Sequence, residues 1–126
     1  MIPHATHVAV GLAAATVVWL GHSGVTSGHA LLMESLPRAD EVAPPSFSRV
    51  VLRFNSRIEK SFSRVSILSP SGGRVPLRVI GDGAPNQLIA AGPALATGSY
   101  TIEWQVLSAD GHLTRGSFPF RVAPAP

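Results

Sequence analysis

The chain has no cysteine, which excludes a disulfide framework, a thiolate metal site and a cysteine nucleophile together. The compartment stays open on that ground, because an exported domain with an ordinary core needs no staples. Charge is missing from one whole segment. All ten Lys/Arg and all seven Asp/Glu lie at or after Glu34, so the first 33 residues carry none. No Gly-rich loop with a following Lys is present to cradle phosphates, and no Gly-x-Ser-x-Gly elbow appears. The seven carboxylates are scattered, and there is no internal repeat, coiled-coil heptad or low-complexity tract. Proline and glycine, by contrast, are plentiful at eleven and twelve. With short apolar runs between them they argue against a helical bundle. An apolar content of 45% is too high for a disordered chain, and glycine without a period excludes collagen. A length of 126 residues predicts one domain.

Val8 to Leu20 reads VAVGLAAATVVWL and is followed by GHSGVTSGHA. The run is shorter than the roughly twenty residues of a membrane span and suits the apolar region of a secretory signal. The preceding MIPHATH holds no Lys or Arg, so its positive charge rests on the amino terminus, His4 and His7. The expectation is a signal helix over residues 1–28 and a domain over residues 29–126. Small residues permit cleavage after Gly28 or after Ala30, and the second fits the local pattern at least as well. Only the first makes His29 the amino terminus.

Beyond Pro37 the pattern changes to period two. Val50, Leu52 and Phe54 alternate with Arg49, Val51 and Arg53, and Val65 and Ile67 continue the alternation. Val75, Leu77 and Val79 follow, then a short Gln87–Ala90 piece. The clearest strand alternates Tyr100, Ile102, Trp104 and Val106 with Thr101, Glu103 and Gln105. Phe118, Phe120 and Val122 close the series. Turn signals stand at Ser69–Gly73 and Gly81–Asn86. With a first strand near Ala30–Ser35, the reading is all-β: a seven-stranded antiparallel Greek-key β-sandwich of immunoglobulin or cupredoxin type. Leu95 to Tyr100 resembles a tyrosine corner, and Pro119 predicts a sheet edge or bulge.

Asp110-Gly111-His112 is the most reactive-looking cluster. In an extended segment, residues i and i+2 point the same way, so carboxylate and imidazole converge, with Gly111 permitting a tight backbone. The bland alternative is an Asp-Gly turn with a surface histidine. A terminal His29 alters the balance. Its α-amine and Nδ1 close a chelate ring, and His112 nitrogen with Asp110 oxygen completes an N3O set of the kind Cu(II) prefers. Arg115 is a candidate for orienting an anion near His112. Arg49, Arg53, Arg57, Lys60 and Arg64 read as a solvated face, with no nucleic-acid partner expected.

Three stretches carry a resemblance. They are His29-Ala30-Leu31-Leu32-Met33-Glu34-Ser35-Leu36-Pro37, Val50–Asn55, and Gly98–Trp104 with Ser108-Ala109-Asp110-Gly111-His112 and Gly116-Ser117-Phe118. Over residues 29–122 the chain resembles the CopC copper-resistance proteins. The resemblance implies a periplasmic β-sandwich binding one Cu(II) per chain through His29, Asp110 and His112. It also implies a carrier or buffer role in copper resistance or homeostasis, with no enzymatic activity. Partners would be the copper ion and a CopD-like membrane copper transporter or a copper enzyme, and the protein would be a monomer. Two features depart from the family. Met33 stands alone in the expected mature chain, so no Cu(I) methionine site is expected, and Phe54-Asn55-Ser56 replaces the Phe-Ser-Glu that some members carry. Two rival readings are an exported immunoglobulin-like interaction domain without metal, and an oxidase using an amino-terminal histidine on copper.

Overall fold

The computed structural model describes residues 29–126 and, apart from them, Pro3; the expected signal helix lies outside the described residues. Among the described residues nine strands follow one another: β1 (Leu32–Leu36), β2 (Val42–Ala43), β3 (Arg49–Phe54), β4 (Ile58–Leu68), β5 (Arg74–Pro76), β6 (Arg78–Ile80), β7 (Gln87–Ala91), β8 (Gly98–Ser108) and β9 (Leu113–Val122). They form a four-stranded sheet in the order β1-β3-β7-β6 and a five-stranded sheet in the order β2-β9-β8-β4-β5. The β-sandwich is therefore present, and no helix occurs among residues 29–126.

The period-two pattern explains which side chains are buried. Val50, Leu52 and Phe54 of β3 and Ile102 and Val106 of β8 are fully enclosed, as are Leu88 and Phe120. Each such side chain contributes about 1.5–3 kcal/mol by leaving water. The sheets meet where Phe54 stands edge-on to Trp104, ring centroids 5.1 Å apart and planes at 71°. Trp104 lies across Gly116, its cross-strand partner on β9. A Cβ on Gly116 would fall 2.3 Å from the indole Cζ2, so only glycine leaves room for the ring. The tyrosine corner is real: the Tyr100 hydroxyl donates to the Ala96 carbonyl at 2.6 Å.

Two expectations need correction. Among the described residues the strands number nine, a finer division of the expected sandwich that adds very short pieces, and one ladder is parallel, because β2 runs alongside the end of β9. Two residues are too few for alternation to reveal a strand. The segment through Val75, Leu77 and Val79 is also two strands, β5 in one sheet and β6 in the other. The chain changes sheets at buried Leu77, whose N–H donates to the Val65 carbonyl at 2.9 Å. All three apolar side chains still pack on the core, so their facing was read correctly while their sheet was not. Pro119 sits as expected on the open flank of β9. Its carbonyl accepts the Asp40 N–H at 2.8 Å, and β2 joins only from Arg121 onward.

Candidate metal centre

The β8–β9 connection is a tight turn built around Ser108. Gly111 adopts φ +89°, a left-handed conformation natural to glycine, and its N–H donates to the Ser108 carbonyl at 2.9 Å. The Ser108 N–H donates to the His112 carbonyl at 2.9 Å, closing the turn. Ser108 itself is buried, only 3% exposed. Its hydroxyl donates to Asp110 Oδ1 and accepts the His112 N–H at 3.2 Å. The convergence of Asp110 and His112 is thus real, with a different cause from the one expected. The segment is a turn rather than extended backbone, and the serine hydroxyl draws the two residues together.

Asp110 Oδ1 lies 3.3 Å from His112 Nδ1 and also accepts the His112 N–H at 3.4 Å. The Ser108 hydroxyl bond holds the Asp110 carboxyl below its ordinary range; desolvation opposes this, and the His112 contacts reinforce it. The group is a carboxylate at neutral pH, ready to act as an oxygen ligand. Both side chains remain roughly half exposed, so an ion can reach them from solvent.

His29 enters from the opposite end of the described chain. Its ring centroid lies 5.7 Å from that of His112, with planes inclined at 51°. Among the described residues, no three His, Cys, Asp or Glu side chains are already closed around one point. His112 Nδ1 faces Asp110, and the His29 ring is separated from the His112 ring by 5.7 Å between centroids. The donor chemistry still fits a borderline ion, with two imidazoles, one carboxylate and, in a chain starting at His29, an amine.

The β3–β4 connection supports both halves of the cluster. Asn55 Oδ1 accepts the Leu31 N–H at 2.8 Å, and the Asn55 N–H donates to the Leu31 carbonyl at 3.0 Å. Two residues on, the Arg57 carbonyl accepts the Ala109 N–H at 3.2 Å. Sequence reasoning missed Asn55, Arg57 and the role of Ser108. Ser108 had a local signal, since serine side chains readily bond nearby backbone groups in turns. Asn55 had none, because its partner is 24 residues away. Arg115, by contrast, is not part of the cluster: its Nε donates to Gln105 Oε1 at 2.8 Å. Both line a groove of about 720 Å³ on the five-stranded sheet that includes none of His29, Asp110 and His112.

A family model described as the CopC domain matches residues 32–123, most of the chain. The chain belongs to the CopC family. Among solved structures, CopC from Methylosinus trichosporium OB3b is 33% identical, with a TM-score of 0.69 covering 78% of this chain and 97% of that one. PcoC from Escherichia coli, described as a methionine-rich copper resistance protein, shares the fold at a TM-score of 0.65 and 23% identity, covering 75% of this chain and 99% of that one. This chain has only two methionines, Met1 and Met33. Among curated relatives, Protein YobA of Escherichia coli K12 is 28% identical over 97 residues, covering 75% of this chain and 78% of its own length. Copper transport protein CutJ of Bacillus subtilis is 26% identical over 100 residues, 77% of this chain but 18% of CutJ.

Proposed function

We propose that the mature protein begins at His29 and binds one Cu(II) as cargo, through the His29 amine and imidazole, the His112 imidazole and the Asp110 carboxylate. Membership of the CopC family supports a copper-related function. The observation that carries the specific reading is the approach of the His29 ring to 5.7 Å from the His112 ring, whose Nδ1 lies 3.3 Å from Asp110. Cleavage after Gly28 adds a free amine where the ring already stands, and an N3O set is what Cu(II) selects. The cationic ion meets one carboxylate among neutral donors, so the loaded site is hydrophilic and suits a half-exposed position.

The role we assign is a periplasmic carrier or buffer in copper resistance or homeostasis, working as a monomer. It receives or delivers the ion in exchange with a membrane copper transporter or a copper enzyme. Release follows from the ligand set in two ways: reduction to Cu(I) leaves hard donors poorly matched to a soft ion, and protonation removes amine and imidazole as ligands.

Titrating Cu(II) into protein that starts at His29, against a competing chelator, tests this. One tight equivalent is expected, lost or greatly weakened in His112→Ala and in Asp110→Ala. Unchanged binding in both variants would refute the ligand set and favour an interaction domain without metal.

A further inference from the structure

We propose that Asn55 is a positioning residue for the copper-binding amino terminus, its side-chain amide fixing where His29 stands. The inference rests on reading His29 as the first residue of the mature chain and adds a residue outside the ligand set.

The ladder between β1 and β3, which shifts register between Leu32 and Glu34, ends at the pair Leu32 and Phe54. Beyond it, paired antiparallel strands would exchange two backbone hydrogen bonds, N–H to carbonyl in each direction. Here the chain must turn at residues 55–57 to cross into β4, so the Asn55 carbonyl is not the acceptor. Its side chain takes over. Asn55 Oδ1 accepts the Leu31 N–H at 2.8 Å while the Asn55 N–H donates to the Leu31 carbonyl at 3.0 Å. The side-chain oxygen therefore extends the pairing one step past the strand while the backbone leaves. Ala30, next in line, is fully buried. His29 is left tethered two residues from a doubly bonded anchor.

The anchor also refers to the other half of the site. The Arg57 carbonyl holds the Ala109 N–H at 3.2 Å, so one short connection, residues 55–57, locates both the amino terminus and the Ser108–His112 turn. Of these contacts only the Asn55 amide belongs to a side chain and can be removed by substitution. Without it, the segment before β1 frays, and copper binding must order it. A net hydrogen bond of ordinary strength sets the expected loss at about tenfold in Cu(II) affinity.

The test is a cycle on the full mature domain with inorganic Cu(II) as probe: wild type and Asn55→Ala, each with a free and with an acetylated amino terminus. A positioning role predicts that Asn55→Ala weakens binding about tenfold in the free-amine chain and has little effect in the acetylated one. Asn55→Asp, which keeps the acceptor oxygen, restores most of the loss. An equal loss in both backgrounds, or none in the free-amine chain, would overturn the proposal while leaving the ligand set intact. Equal binding by free and acetylated wild type would instead remove the His29 amine from the ligand set, and the positioning of that amine with it. A measurement without variants checks the clamp itself: the Leu31 amide of the metal-free protein is expected to be protected from hydrogen exchange, and free exchange contradicts it.

Discussion

Ser108 is the buried member of an otherwise open cluster, and its hydroxyl touches both residues of the proposed turn site. Replacing it with alanine removes the donor to Asp110 and the acceptor for the His112 N–H. The expected outcome is a fold that persists with about 1–2 kcal/mol less stability, and weaker Cu(II) binding. Denaturant titration and a competition titration on the same sample check both. Glu34 gives a second prediction at this scale. Its carboxylate pairs with Arg53 across the ladder at 3.0 Å, and that hydrogen bond and charge hold its carboxyl below the ordinary range. A depressed carboxylate stabilises the fold above its unfolded value, about 4.3, and the contribution disappears as pH falls through the lower folded value. Glu34→Gln is therefore expected to lower stability slightly near pH 7 and to converge with wild type in acid, where the carboxylate is protonated in both states, a small effect because the pair is exposed. Denaturation midpoints at the two pH values read it. The two kinds of residue differ in legibility. Asp110 and His112 stand two apart and announce themselves, whereas the acceptor for Leu31 is a single asparagine in an unremarkable Phe-Asn-Ser.

At the scale of elements, β8 and β9 show what sequence periodicity captures. Their alternation predicts which residues face inward, and Ile102, Trp104, Val106, Phe118 and Phe120 are all buried. What it does not capture is pairing between strands distant in sequence. The two-residue β2 has no period to display, and the β5–β6 segment keeps its alternation while crossing from one sheet to the other at Leu77. The Trp104–Gly116 contact is of the same hidden kind, since a glycine in a strand gives no sign of the ring laid over it. Gly116→Val is expected to displace the indole from Phe54 and to destabilise the domain by about 1–3 kcal/mol. Thermal denaturation together with tryptophan fluorescence measures this. An unchanged midpoint would show that the ring has space the structure does not indicate.

Across the whole molecule, the sandwich brings a residue that precedes the first strand to the turn between the last two. The His29 ring stands 5.7 Å from that of His112, which pairs with Asp110, although β1 and β9 lie in different sheets. The family and fold were readable from the order of motifs along the chain, since that order reflects the strands directly. The chemistry at His29 was not readable in the same way, because it depends on where a protease cuts. Copper affinity is expected to fall from neutral to mildly acidic pH, each ligand proton competing with the ion. Competition titrations across that range follow it. The most direct measurement is the intact native mass of the protein recovered from the cell envelope of copper-fed cells. The account predicts a polypeptide beginning at His29 and carrying one copper ion; a polypeptide beginning at Leu31 would contradict it.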